Sequence, residues 1–203
     1  MYLVSELYTL MSINRLKDIQ IRPAQLGDAA GIAQVRVTSW RATYQGIVPQ
    51  EVLDGLSVKD ITGWMERMIA SPAPGSCHLV AQAQSRQIVG FAMGGPERTQ
   101  DPNYEGELYA IYILPDFLRI GIGRGLLNSM AGCLLGHGMH SMLIWVLAEN
   151  PARQFYEALG GVYVRQQTIT LGSAPLPEVA YGWKDLNALL QALGPNPPAA
   201  GSS

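Results

Sequence analysis

Three glycines stand at alternate positions, Gly121, Gly123 and Gly125, inside the segment "PDFLRIGIGRGLL" (residues 115–127), between an apolar run and a stretch with helical spacing. Glycine allows positive φ and lets another group approach the backbone closely. A strand that ends in such a turn and opens a helix presents free N–H groups and the positive end of the helix dipole, which together bind anions. The segment therefore predicts a phosphate or diphosphate site, and the alternative is a tight helix entry packed against a neighbouring element.

The surrounding residues restrict which phosphate ligand the turn could hold. Arg119 and Arg124 would supply positive charge. The mononucleotide motif GxxxxGK[ST] is absent, and Leu126 interrupts the dinucleotide motif GxGxxG. Residues 117–148 contain no Asp or Glu that could bind a ribose, so a dinucleotide dehydrogenase is disfavoured.

Composition excludes several classes of protein. The chain has 203 residues, 48% of them hydrophobic and 15% charged, which predicts one globular domain. Its formal net charge of -2 and the lack of a basic cluster disfavour nucleic acid as a partner. No apolar run reaches the ~18 residues of a membrane helix. Cys77 and Cys133 lack CxxC spacing and the histidines lack ligand spacing, so we expect no metal, no disulfide and a cytoplasmic location.

The pattern of apolar residues and breakers predicts the element order βααβββαβαββ, a mixed α/β domain. Asp28 is the predicted N-cap of the first helix, and "GSAPLP" the turn between the last two strands. We expect an N-terminal extension over residues 1–18, a domain over 19–190 and a disordered tail over 191–203. Met11 is an alternative start, which would leave residues 1–10 as an upstream extension.

Two motifs resemble those of a known family. "ILPDFLRIGIGRGLL" resembles the acetyl-CoA-binding motif of the GCN5-related N-acetyltransferases, Gln/Arg-x-x-Gly-x-Gly/Ala after a strand, and "ENPARQFYEALGGVYV" is similar to their second motif, Asn-x-x-Ala-x-x-Phe-Tyr-x-x-x-Gly-Phe. The motifs occur in the family's order and spacing, and the resemblance covers roughly residues 19–185. Leu118 stands where the family has Gln or Arg, Gly161 replaces the usual Phe, and Ala152 lies one place early.

The resemblance implies the acyl-CoA N-acyltransferase fold, a single mixed, mostly antiparallel sheet flanked by helices. It also implies acetyl-CoA as cosubstrate, with pantetheine along the strand before the glycines and the diphosphate on the glycine turn. The implied cofactor-binding residues are Ile111, Tyr112, Ile113, Arg119, Ile120, Gly121, Ile122, Gly123, Arg124, Gly125, Asn150 and Arg153.

The reaction implied is direct attack of a neutral amine on the acetyl thioester. Such a reaction needs a base for the ammonium proton, donors for the thioester oxygen and an acid for the departing thiolate. The resemblance places the acid at Tyr156, and Glu107 is the main candidate for the base, with Tyr109, Glu105 or a water chain as alternatives. With the period of two of a strand, Glu107, Tyr109, Ile111 and Ile113 share one face.

The acceptor site is less sharply predicted. Trp40, Tyr44 and Tyr109 are the candidate substrate-binding residues, with core packing as the alternative for the first two. Acidic residues near the expected cleft favour a cationic acceptor, either a small molecule or a peptide amine; they are Glu97, Asp101, Glu105 and Glu107.

Two alternatives follow from the same residues. Leu118 favours a non-catalytic module that binds or senses acetyl-CoA, whereas Tyr156 and Glu107 favour an enzyme. The final strand "EVAYGW" (residues 178–183) either forms a homodimer interface or completes the sheet.

Overall fold

A computed structural model describes Leu16 and residues 18–195 of the chain. The expected N-terminal extension, except Leu16 and Asp18, and the end of the expected tail, residues 196–203, lie outside the described residues. Seven strands form one sheet in the order β1-β2-β3-β4-β5-β7-β6. Their bounds are β1 (Ile19–Pro23), β2 (Cys77–Ala83), β3 (Ile88–Pro96), β4 (Gly106–Ile113), β5 (Met142–Leu147), β6 (Val162–Leu171) and β7 (Ala174–Trp183).

Helices cover both faces of this sheet. They are α1 (Ala29–Thr43), α2 (Gln50–Asp54), α3 (Val58–Ala70), α4 (Ile122–Gly136), α5 (Arg153–Ala158) and α6 (Leu186–Leu193). Apolar residues of α1 and α3 pack on one face, against Val80 and Phe91. Apolar residues of α4 and α6 pack on the other face, against Leu108 and Ile144. The predicted fold class, a mixed and mostly antiparallel sheet flanked by helices, is confirmed.

Two local predictions are wrong. The predicted element order lacks α6, although Asp185 caps this helix by accepting hydrogen bonds from the amides of Asn187 and Ala188. The helix spans residue 190, the expected boundary between domain and tail. The expected turn "GSAPLP" is mostly strand, because β7 already begins at Ala174 and only Gly172 and Ser173 turn the chain.

Asp28 does not cap α1 with its side chain. Its carboxylate instead accepts hydrogen bonds from Arg22 Nη1 at 2.7 Å and Nη2 at 2.9 Å, and from the Gln25 amide at 2.7 Å. The hydrogen bond from Arg22 and that from Gln25 hold the pKa of Asp28 below its ordinary value, against the opposing effect of burial. Asp28 thus ties β1 to the start of α1.

The two cysteines form a disulfide, which corrects the expectation drawn from their spacing. Cys77 begins β2, and Cys133 lies on α4, which packs over β2. Their Cα atoms are 6.2 Å apart. A ring nitrogen of His137, one turn after Cys133, lies within 4.8 Å of both sulfur atoms.

The last hairpin settles which strand lies at the edge of the sheet. β7 is hydrogen-bonded to β5 on one side and to β6 on the other. The segment predicted as a dimer interface or sheet completion therefore completes the sheet, and β6 is the edge strand on this side, opposite β1. No helix within the described residues is long and apolar enough to cross a membrane.

Candidate active site

A gap opens in the sheet between β4 and β5. These strands run parallel and pair only at Gly106 with Met142 and at Glu107 with Leu143. Beyond this point β4 remains paired with β3 as far as Ile113, while β5 pairs with β7. One edge of β4 thus carries backbone N–H and C=O groups that pair with no other strand in the described part of the chain, and an extended ligand can bind such an edge.

The glycine turn lies at the open end of this gap. Gly121 is the N-cap residue of α4, has a φ of 99° and provides no side-chain cap, and Arg119 before it also has a positive φ of 62°. The buried side chains of Ile120 and Ile122 anchor the turn in the core below α4. The first amides of α4 therefore lack side-chain partners at the positive end of the helix, as the predicted anion site requires.

Gly123 has a structural reason to be glycine. A Cβ atom there would lie 3.1 Å from Cζ of Phe155 and 3.4 Å from Cδ1 of Ile113. The space beside Gly123 is filled by an α5 side chain, which corresponds to the alternative of a helix entry packed against a neighbour. Of the two glycines, Gly121 is the one whose positive φ requires glycine, because L side chains rarely adopt it.

The two arginines of the turn differ in their availability. Arg119 is exposed and forms no ion pair or hydrogen bond with any described residue, so its charge can reach a phosphate. The Arg124 guanidinium donates to the carbonyls of Leu193 at 2.9 Å and Ala192 at 2.6 Å, at the end of α6. This arrangement does not support the predicted contact between Arg124 and a phosphate.

Asn150 and Arg153, the predicted contacts from the second motif, are also used within the protein. Asn150 donates from Nδ2 to the Tyr44 hydroxyl at 3.1 Å and accepts from the Ala152 amide at 2.8 Å. Arg153 donates to the Tyr181 hydroxyl at 3.0 Å and to the Ala148 carbonyl at 2.7 Å. These residues orient α5 and Tyr44, and their contact with a cofactor is not supported by this geometry.

Three tyrosines, Tyr44, Tyr112 and Tyr156, lie near one another beside β4. Burial raises the pKa of Tyr44, and the neighbouring phenols of Tyr112 and Tyr156 add to this effect. Burial likewise raises the pKa values of Tyr112 and Tyr156. The Tyr156 side chain is 4% exposed, and its hydroxyl forms no hydrogen bond with a described residue although it is not among the enclosed atoms. At neutral pH this hydroxyl is thus protonated and can donate a hydrogen bond.

A bulge in β4 changes the predicted face of Glu107. Met93 pairs with Ala110 and Gly94 with Leu108, so Tyr109 has no partner in β3. Leu108 consequently packs in the same cluster as Ile111 and Ile113, on the α4 face. The expectation that Glu107, Tyr109, Ile111 and Ile113 share a face is therefore wrong, because an extra residue reverses the alternation.

Glu107 is buried and paired. Its side chain is 1% exposed and accepts hydrogen bonds from the guanidinium and the backbone amide of Arg98. Arg98 also lies 4.3 Å from the ring centroid of Tyr109, whose hydroxyl donates to the Pro96 carbonyl at 2.6 Å. Both Glu107 oxygens are engaged, and sequence reasoning had no signal for Arg98 because a bulge and a loop bring it there.

The acidic residues expected to attract a cationic acceptor are likewise occupied. Glu97 accepts hydrogen bonds from Thr99 and from the amide of Asp101, and Asp101 pairs with Arg165. Glu105 accepts a hydrogen bond from the His140 amide. Each of these carboxylates has a hydrogen-bond partner within the described structure, but only Asp101 and Glu107 are paired with a cation. Glu97 and Glu105 accept from neutral donors and keep their charge, so the preference for a cationic acceptor stays a prediction.

Aromatic residues from α1 and β4 form the wall next to the phenols. The rings of Trp40 and Tyr44 lie 4.8 Å apart, and those of Trp40 and Tyr112 lie 6.3 Å apart. The Trp40 N–H lies near the Tyr112 hydroxyl without forming a hydrogen bond of normal geometry. The structure thus brings the predicted substrate residues Trp40 and Tyr44 together, while Tyr109 belongs to the Arg98 group.

Sequence reasoning also missed Arg36. It stands one helical turn before Trp40, so helical spacing alone was a usable signal for their contact. A pocket of about 410 Å³ lies apart from this site, at the β1 edge beside Arg22 and Arg86.

Similarity to known proteins agrees with this geometry. The family of FR47-like proteins matches residues 98–169, which include β4, the glycine turn and α5. An uncharacterized N-acetyltransferase of Bacillus subtilis, YuaI, is 40% identical over 172 residues, which cover 84% of this chain and 96% of the relative. This chain belongs to the GCN5-related N-acetyltransferase family. The assignment identifies it as an acetyltransferase.

Solved structures of other N-acetyltransferases share the fold. PaiA N-acetyltransferase from Thermoplasma acidophilum, in complex with coenzyme A, has a TM-score of 0.57 and 22% identity, covering 79% of this chain and 97% of that one. Ribosomal-protein-alanine N-acetyltransferase from Brucella melitensis has a TM-score of 0.64 and 20% identity, covering 81% of this chain and 98% of that one. These N-acetyltransferases establish the shared architecture.

Proposed function

We propose that this N-acetyltransferase moves an acetyl group from acetyl-CoA to a primary amine by direct attack. The observation that carries the proposal is the early end of β4–β5 pairing after Glu107 and Leu143, which opens a gap between the uncapped start of α4 and the Tyr156 hydroxyl. A long, extended thioester ligand with a diphosphate at one end matches this gap. The PaiA relative with coenzyme A bound supports the same ligand.

The residues fit acetyl-CoA at three points. The first amides of α4 and the free charge of Arg119 suit the diphosphate. The unpaired edge of β4, residues 108–113, suits the amide groups of pantetheine, because an extended ligand can hydrogen-bond to it as another strand would. The acetyl thioester then falls near the phenols, where it supplies an activated acyl group.

The proposed proton movements use this chain's own groups. A backbone N–H on the β4 edge stabilises the thioester oxygen as it gains charge. Tyr156 gives its phenolic proton to the departing thiolate, which becomes the free thiol of CoA. The amine's proton leaves through water in the gap, since both oxygens of Glu107 are held by Arg98. Glu107 is thus proposed to position Arg98 rather than to remove the proton directly.

Binding and turnover together test the proposal. Calorimetric titration of acetyl-CoA into the full chain should show one saturable site, and thiol release should depend on an added primary amine. Arg119→Gln should weaken binding by a few-fold and make it less salt-dependent, since it removes one screened charge. Arg124→Gln is the matched control and should affect stability more than affinity.

Two results would redirect the interpretation. Absence of acetyl-CoA binding would overturn the proposal. Saturable binding without thiol release across amino acids, polyamines and peptide N-termini would support the non-catalytic module, to which Leu118 points because it is 51% exposed and offers no charge.

A further inference from the structure

Arg36 is a basic side chain on α1 without a polar partner among the described residues. It forms no hydrogen bond or ion pair with any described residue, and its Nε atom is enclosed in the protein without an acceptor. Since Nη1 and Nη2 have no partners either and are not among the enclosed atoms, they reach solvent. A guanidinium held in this way is unusual, because buried polar groups in native proteins are nearly always satisfied.

Aromatic rings fix the position of this guanidinium. Its central carbon lies 5.7 Å from the ring centroid of Trp40 on α1 and 5.6 Å from that of Trp64 on α3. Stacking on indoles restricts the guanidinium plane and leaves its outer edge free for a ligand. The group is preorganised before any ligand arrives, which lowers the entropy lost on binding.

Arg36 is also close to the proposed reaction centre. Trp40 lies between it and Tyr112, and the positive charge of Arg36 acts on the Tyr112 phenol. Tyr112 in turn adjoins Tyr44 and Tyr156. An acceptor lying along Trp40 would therefore place one end at the Arg36 guanidinium and the other near the thioester.

The local charges indicate which chemical group belongs at that end. The carboxylates of β4 and of the loop before it bond to Arg98, Arg165, His140 or Thr99, and no described carboxylate forms an ion pair with Arg36. The paired Nη groups match the two oxygens of a carboxylate, and such bidentate bonds combine charge with geometry.

We infer that Arg36 binds a carboxylate of the acceptor, which makes the acceptor a small amine that also carries a carboxylate, such as an amino acid. This inference rests on the proposed acetyl transfer and adds its substrate class. The carboxylate binds end-on to Nη1 and Nη2 and leaves the amine free to attack the acetyl group.

Matched acceptors test the inference on the full chain. Each α-amino acid and ω-amino acid of the panel is paired with its primary amide, and thiol release gives kcat/KM for both members. We expect the acids to exceed their amides at least tenfold in the parent. Arg36→Gln should remove this preference through the KM of the acceptor, with kcat and the KM of acetyl-CoA changed less than twofold, and Arg36→Lys should restore part of it.

Arg41→Gln is the control, because Arg41 lies on the same helix but donates to the carbonyls of Leu53 and Leu56. It should retain the preference for acids. Melting temperature and acetyl-CoA affinity show whether each variant is folded. Amides used as well as acids by the parent, or equal losses for both in Arg36→Gln, would overturn the inference while leaving acetyl transfer intact.

A binding measurement covers acceptors that the panel turns over slowly. Titration of the N-acetylated acids and amides into the CoA-bound protein should show acids binding at least tenfold more tightly, and only where Arg36 is present. If the protein binds CoA but neither binds nor turns over any carboxylate in preference to its amide, Arg36 has no such role.

Discussion

Arg98 and Glu107 form a two-pronged ion pair whose members differ sharply in exposure, with 60% of the Arg98 side chain and 1% of the Glu107 side chain accessible. Removing the exposed partner should therefore be the more damaging change. Arg98→Met leaves a buried carboxylate unpaired and should lower the free energy of unfolding by about 3 kcal/mol. Glu107→Gln leaves an arginine that water can solvate and should lower it by about 1 kcal/mol or less. Urea denaturation at neutral pH measures both, and equal losses would contradict the ion-pair description.

The same variants separate two roles of Glu107 in catalysis. A direct general base contributes about 10²- to 10⁴-fold to the rate. If Glu107 were that base, Glu107→Gln would lower kcat/KM far more than Arg98→Met. A positioning role predicts similar, less than tenfold reductions in kcat/KM for both variants. We expect the second result, with the pH-rate profile keeping its shape in Glu107→Gln.

Tyr156→Phe should reduce kcat about 10- to 100-fold, because it removes the proposed proton donor to the thiolate. Burial raises the pKa of Tyr156 above its ordinary value near ~10, so the phenol stays protonated throughout the range in which most amines lose their proton. The rate of the parent should thus rise with pH as the amine deprotonates, without a decline from Tyr156 below pH ~10. Initial rates of thiol release from pH 6 to pH 10 measure this profile.

The control for this change is Tyr163→Phe on β6, where the side chain is 53% exposed. It should leave kcat unchanged. The Tyr156 hydroxyl has no hydrogen-bond partner among the described residues, so Tyr156→Phe should also leave the melting temperature nearly unchanged. If Tyr156→Phe kept the full kcat of the parent, Tyr156 would not be the proton donor.

The fold could be predicted from sequence where local signals are strong. The glycine turn, the strands around it and the motif helix follow from backbone chemistry and periodicity near each residue. The contacts made by the side chains of the site were predicted less well from the sequence. Arg124 and Arg153 looked like phosphate ligands, yet each donates to a group far away in sequence. Arg124 donates to main-chain carbonyls at the end of α6, and Arg153 donates to the Tyr181 hydroxyl on β7.

Two further misses arise from the pairing of strands and helices. A single unpaired residue, Tyr109, reverses the faces of β4, and this could not be predicted from a sequence that alternates on both sides of it. The Cys77–Cys133 bond depends on α4 crossing β2, which spacing does not reveal. Tertiary placement decided both outcomes, whereas the local sequence decided the glycine turn.

Gly123→Ala tests what occupies the space beside the glycine turn. The added Cβ would lie 3.1 Å from the Phe155 ring, so the ring or the helix start must move, and we expect a loss of about 1–2 kcal/mol with weaker acetyl-CoA binding. Gly123→Ala combined with Phe155→Leu should recover both, because the smaller side chain makes room. Thermal melts and calorimetry measure them, with Phe155→Leu alone as control. Recovered stability without recovered affinity would show that the ligand itself requires the space.

Asp28→Asn should reduce the sensitivity of the fold to acid. Hydrogen bonds from Arg22 and Gln25 lower the pKa of Asp28 in the folded state. A lowered pKa adds stability at pH values above the unfolded value near ~3.9, and this contribution is lost as pH falls through the folded value. The variant should be less stable than the parent by about 1 kcal/mol at pH 7, and the difference should shrink towards pH 2. Urea denaturation across this range measures it, with exposed Asp60→Asn as control.

Reduction of the Cys77–Cys133 disulfide should destabilise the protein without changing its fold. The bond joins residues separated by 56 positions. Closing a loop of that size lowers the entropy of the unfolded chain, which stabilises the folded state by about 4 kcal/mol in the chain-entropy description. For a chain of this size the melting temperature should fall by on the order of 10 °C in reductant. Thiol titration first establishes the oxidised state. Cys77→Ala with Cys133→Ala should melt at the same temperature with and without reductant, because it has no bond to lose. If the parent contains the disulfide but melts at the same temperature with and without reductant, the bond does not stabilise the fold.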